Sequence, residues 1–116
     1  MSASEFVEYL HEVFALFGPI QSRRMFGGYG IYRDGLMFAL VADEALYLKT
    51  DAETVNCFTE LGLSPFEYDK GDKKVQMSYY AASEAIFDEP EQAKEWADRA
   101  FGAALRAKKK TDTKRR

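Results

Sequence analysis

Three glycines fall within four residues of the segment Arg23-Arg24-Met25-Phe26-Gly27-Gly28-Tyr29-Gly30-Ile31-Tyr32, whose aromatic and branched side chains otherwise favour strands. Glycine within a strand costs backbone entropy and contributes nothing to packing. It therefore marks a bulge, a bend or the close approach of another backbone. The sequence predicts strand character from about residue 20 to 32, broken at these glycines. Asp34-Gly35 then signals a tight hairpin turn into Leu36-Met37-Phe38-Ala39-Leu40-Val41. Ala42-Asp43-Glu44 reads as the next turn and Ala45-Leu46-Tyr47-Leu48-Lys49 as the next strand. Leu46 and Leu48 would share one face of it, Tyr47 and Lys49 the other.

Helical patterns flank this meander. Phe6, Val7, Leu10, Val13, Phe14 and Phe17 form an apolar stripe over residues 3–17, with Ser2 and Glu5 spaced as a capping box and Gly18-Pro19 as the stop. A second helix is expected over 52–61, with Asp51 capping its first amides. Phe66 and Tyr68, then Val75, Met77 and Tyr79, alternate with polar residues about the turn-rich Asp69-Lys70-Gly71-Asp72, a second hairpin. Ala93, Trp96, Ala97, Ala100, Phe101, Ala104 and Leu105 give the last helix one apolar face. Pro90 stands in its first turn, and Asp88 with Glu91 is spaced as a further capping box. Helix, three-strand meander, helix, hairpin and helix make an α+β two-layer sandwich, an antiparallel sheet with helices on one side and the order α-β(3)-α-β(2)-α.

A chain of 116 residues is expected to hold one domain, over 1–107, followed by a disordered basic tail over 108–116. The tail carries six basic residues and one acidic, against ten basic and eighteen acidic in the rest, so an acidic body ends in a cationic segment. No apolar run approaches the roughly 20 residues that span a bilayer, so no membrane partner is expected. The N-terminus lacks a basic region followed by an apolar stretch, and the expected location is cytoplasmic.

No catalytic, cofactor or metal constellation is legible. Cys57 and His11 are single and fall on different predicted helices, so neither a nucleophile–base pair nor a multi-cysteine metal set can be built from them. Gly28-Tyr29-Gly30 does not read as a dinucleotide fingerprint, because Arg33 stands where a third glycine belongs and a hairpin follows where a helix is needed. The paired carboxylates sit in turns and at helix starts, where capping and solvation account for them. These features point to a protein that is not an enzyme.

Two readings of the cations stay open. Arg23 and Arg24 can anchor an anion or small ligand near the glycine-rich bend, or pair with body carboxylates. Lys49, Lys73 and Lys74, near strand ends, can extend a basic patch on the open sheet face. Lys108, Lys109, Lys110, Lys114, Arg115 and Arg116 can give weak, salt-sensitive, non-specific DNA contact, opposed by the acidic body. An open sheet face bearing Tyr and Phe favours a homodimer.

The string Arg24-Met25-Phe26-Gly27-Gly28-Tyr29-Gly30, the Leu46-Tyr47-Leu48-Lys49 strand ending, and Tyr79-Tyr80 followed by an Asp88-Glu89-Pro90 helix start with Trp96 resemble the N-terminal domain of the TfoX/Sxy family of bacterial competence regulators. Arg24, Met25, Phe26, Gly27, Gly28 and Gly30 match its signature. The resemblance covers about residues 4–105 and implies an α-β(3)-α-β(2)-α domain similar to type III secretion chaperones. It also implies a part in transcription of DNA-uptake genes, with the transcription machinery (the cyclic-AMP receptor protein) as protein partner and no assigned catalytic residue. Members carry a second, helical C-terminal domain where this sequence has its basic segment. A partner surface without the full regulatory output is the corresponding expectation.

Overall fold

Ser2 starts the chain's first helix as its spacing requires. The Glu5 amide donates to Ser2 Oγ at 3.2 Å, and the Ser2 amide donates back to Glu5 Oε1 at 3.4 Å. The computed structural model describes residues 2–25 and 27–114. Helix α1 spans Ala3–Val13, and the apolar stripe continues beyond it through a turn rather than a further helical turn. The amides of Phe17 and Gly18 both reach the Phe14 carbonyl at 3.0 Å, which tightens the backbone while keeping Phe14 and Phe17 buried.

The glycine segment is a turn between two strands and not a bend within one. β1 (Gln21–Met25) and β2 (Gly28–Arg33) pair antiparallel, Arg23 opposite Gly30 and Met25 opposite Gly28. Asp34 and Gly35, both at positive φ, make the expected tight turn into β3 (Leu36–Ala42), and β4 (Ala45–Lys49) follows. The meander therefore has four strands. A bulge beside Ile31 and Tyr32 lets the consecutive residues Phe38 and Ala39 both enter the core, which strict alternation forbids.

Helix α2 (Val55–Thr59) is shorter than expected. Thr54 precedes it, while Asp51 Oδ1 accepts the Glu53 amide at 3.0 Å in the turn before it. The hairpin of β5 (Pro65–Lys70) and β6 (Lys73–Ala81) joins the sheet through β6, giving one antiparallel sheet in the order β1-β2-β3-β4-β6-β5. Asp88 closes the short helix α3 (Ala85–Asp88) instead of capping the last helix, and the Glu89 carbonyl accepts the Ala93 amide at 3.0 Å. Pro90 opens α4 (Pro90–Lys114), which carries Lys108, Lys109 and Lys110 on its final turns, where the sequence suggested a separate tail. The side chain of Lys114, with Arg115 and Arg116, lies outside the described residues.

One face of the sheet meets α1 and α4 in an α+β arrangement. Leu10, Phe14, Phe38, Phe58, Leu48 and Ile86 are fully buried there. Rings organise this core: Phe38 meets Phe14 edge-on at 5.8 Å between centroids, and Phe58 meets Trp96 at 4.8 Å. Ala93, Ala97 and Ala100 are each at 0% exposure, so small side chains let α4 lie close to the strands.

Candidate functional site

The opposite sheet face carries the unusual chemistry. Strand parity and register place Arg23 and Met25 of β1, Gly30 and Tyr32 of β2, Met37 and Leu40 of β3, and Tyr47 and Lys49 of β4 on this side. Val75, Met77 and Tyr79 of β6 and Phe66 and Tyr68 of β5 continue it. Leu40 and Tyr79 are buried, yet stand outside the cluster that packs beneath the helices. Side chains close over Gly30: a Cβ there would come within 2.8 Å of the Met25 sulfur and 3.1 Å of the Met37 sulfur, and these flexible side chains would have to shift.

Rings and cations are paired across this surface. The Arg23 guanidinium lies 5.3 Å from the centre of the Tyr32 ring, and Lys49 Nζ lies 5.1 Å from that of Tyr79. Tyr47 and Phe66 meet edge-on at 5.0 Å, and Phe66 stacks beside Tyr68 at 6.4 Å. Lys49 donates to Ser78 Oγ at 2.7 Å. Burial lowers its pKa from the ordinary 10.5, with Asp51 acting in the opposite direction. Burial, together with the neighbouring Tyr32, pushes the Tyr79 phenol up to about 12.

Arg23 and Arg24 are separated by strand alternation. Arg24 lines a cleft of about 520 Å³ with Ala3, Met25, Gly27, Gly28 and Tyr29, near the start of α1. The Glu5 carboxylate is already bonded to Ser2 at that helix start, so an anion there meets a negative neighbour. Phe26 lies outside the described residues. Gly28 has a definite reason to be glycine, because a Cβ at that position would overlap the Val41 carbonyl oxygen.

Of the cations on the last helix, Lys108 lines a cleft with Lys49, Met37, Tyr79, Ala104 and Ala107 at one end of the sheet, and Arg23 and Arg24 do not. Lys73 falls on the aromatic face, whereas Lys74, opposite Asp69, falls on the other.

Two arginines have structural partners distant in sequence. Arg33 Nη1 donates to the Phe17 carbonyl at 2.8 Å and covers the Phe17 ring at 4.4 Å, fastening the chain where it leaves α1. Arg106 holds Asp51 and Glu53. Neither contact has a local signal, since each joins residues far apart in sequence. Cys57 is half-buried on α2 and His11 is exposed on α1. Among the described residues no group of three or more His, Cys, Asp or Glu side chains is placed to hold a metal ion, and no helix is long and apolar enough to cross a membrane.

The chain is 33% identical over 73 residues to the DNA transformation protein TfoX1 of Aliivibrio fischeri, covering 63% of this chain and 35% of that protein. It is 27% identical over 105 residues to Protein Sxy of Escherichia coli, covering 90% of this chain and 50% of that protein. The DNA transformation protein TfoX of Haemophilus influenzae is 33% identical over 73 residues, 61% of this chain and 34% of the relative. The chain thus spans between a third and a half of these curated relatives. A family model described as the TfoX N-terminal domain matches residues 12–104, from the end of α1 through the packed part of α4. That match takes in the glycine turn, the whole sheet and its aromatic face, and the chain belongs to the TfoX N-terminal domain family.

Proposed function

We propose that this chain is a non-enzymatic interaction module of the TfoX type, acting in the cytoplasm and contributing to competence-related transcription through protein contacts and weak, non-specific contacts to DNA. The family membership carries this reading, together with relatives named as DNA transformation proteins. The exposed Lys108, Lys109 and Lys110 on the last turns of α4 supply cations beyond the packed core, where duplex phosphates can reach them. The transcription machinery is the proposed protein partner.

The test is to produce the chain in a naturally competent host and measure transcripts of the DNA-uptake genes. A changed transcript level is expected, and unchanged transcripts at a verified protein level would overturn the regulatory reading. Duplex binding across a salt series, with and without Lys108, Lys109 and Lys110 changed together to Gln, tests the DNA contact. The expected result is binding that weakens steeply with salt and with loss of the three lysines. Binding indifferent to both would remove that contact from the proposal.

A further inference from the structure

Among the described strand residues, the only carboxylates are Glu67 and Asp69. Glu67 pairs with Gln76 and accepts its amide at 3.2 Å, while Asp69 pairs with Lys74. Both alternate away from Tyr68 and Val75, onto the side opposite the aromatic face. That face instead presents Arg23, Lys49, Lys70 and Lys73 by the same parity. Other carboxylates lie in helices, turns and loops, with Asp72 at the tip of the β5–β6 hairpin and Asp43 and Glu44 between β3 and β4. A chain with nineteen acidic residues has therefore kept the strands of one entire sheet face free of negative charge.

Besides the buried Tyr79, four rings lie across the same surface: Tyr32 on β2, Tyr47 on β4, and Phe66 and Tyr68 on β5. Tyr68 is 40% exposed at the outer edge, and the other three are half-buried. With strands about 4.8 Å apart, four strand intervals from β2 to β5 span about 19 Å, enough for several unstacked bases. Bases stack on aromatic side chains without needing a particular sequence, and cations beside the rings can receive the intervening phosphates.

We propose that this face binds single-stranded nucleic acid, with bases on Tyr32, Tyr47 and Tyr68 and phosphates held by Arg23, Lys49, Lys70 and Lys73. A duplex does not fit this chemistry, because its bases are already stacked and paired. A second copy docked face to face would bring one cation-bearing face against another, with no strand carboxylate on either side to neutralise them. The site meets the basic end of α4 at one edge, where Lys108 shares a cleft with Lys49, and does not require the regulatory reading above.

The deciding experiment is fluorescence anisotropy with 5′-labelled dT12, rU12 and a 12-base-pair duplex. It uses the 116-residue chain with Lys108, Lys109 and Lys110 changed to Gln, so that helix-end cations do not mask the sheet. Single strands are expected to bind at least tenfold more tightly than the duplex, and comparison of dT12 with rU12 shows which of the two strands is preferred. Log K should fall against log salt with a slope of about −2 to −3, as four neutralised phosphates require. Tyr68→Ala is expected to weaken binding about tenfold, and Arg23→Gln severalfold with a shallower salt slope. Tyr68→Phe, which keeps the ring, should bind as the chain with Tyr68 does. Thermal melting checks that these edge-strand variants remain folded. No single-strand binding, or binding indifferent to both Tyr68→Ala and Arg23→Gln, would overturn the proposal. So would sedimentation showing a dimer that Tyr68→Ala dissociates, which would assign the face to a second copy.

Discussion

Arg106 Nε donates to Asp51 Oδ2 at 2.5 Å, and its Nη2 reaches Oδ1 of the same carboxylate at 3.2 Å. This fork joins the later part of α4 to the turn between β4 and α2, across 55 residues of sequence. Glu53 adds a second carboxylate at 2.9 Å from Arg106 Nε. The loop that leaves the sheet is thereby tied to the helix that covers it.

The fork has a pH signature. Hydrogen bonding from Arg106 holds the Asp51 carboxyl below its ordinary value of 3.8, opposed by desolvation and helped by the guanidinium charge. A carboxylate whose pKa is depressed on folding contributes stability above its unfolded pKa and loses it as pH falls through the folded value. Asp51→Asn is therefore expected to flatten the loss of stability below about pH 4, measured by urea unfolding at several pH values. Arg106→Ala should cost about 1 kcal/mol at neutral pH, a modest figure because the arginine side chain is 36% exposed and water screens the pair.

The glycine segment separates two reasons for needing glycine. Gly28 faces the Val41 carbonyl at a distance that admits no Cβ, whereas Gly27 has open space around it but a φ of +78°. Gly28→Ala must shift backbone and is expected to cost about 2–3 kcal/mol. Gly27→Ala meets only left-handed backbone strain of about 1–2 kcal/mol. Denaturant melts of the two variants check the order, and the larger loss at Gly27 would refute the close-approach argument.

Tyr79 offers an alkaline counterpart. Its phenol is pushed up to about 12, so the folded chain holds that proton while the unfolded chain releases it near 10. Unfolding then releases protons between those values, and stability falls as pH rises through the interval. Tyr79→Phe should make the fall shallower. In a phenolate absorbance titration of the native protein, one of the seven tyrosines should ionise last, and that final step should vanish in Tyr79→Phe.

Part of the candidate site was legible before the fold. Alternation alone puts Tyr47 and Lys49 on one side of their strand, and the sequence puts Lys49 and Lys73 on the open sheet face. Both placements hold, because side-chain parity is a property of the strand itself. Lys74 lies on the other side, because it follows Lys73 in β6 and successive side chains alternate. The contacts of Arg33 with Phe17 and of Arg106 with Asp51 carry no sequence signal, because the partners are distant in sequence.

Features whose causes lie within a few residues were readable from the chain alone. These are the Ser2–Glu5 capping box, the Asp34-Gly35 turn, Pro90 at the start of the last helix, and the alanine-lined stripe that seats α4 on the sheet. Tertiary structure alone decided that the glycine run is a turn between two strands, and that a bulge turns both Phe38 and Ala39 inward. It also decided that β6 inserts between β4 and β5, carrying Tyr68 and Lys73 onto the same surface as Arg23 and Tyr32. The physical reason is that periodicity and capping energies are local. Strand order, close backbone approach and the gathering of like charges on one face come from long-range pairings, which no short window of sequence contains.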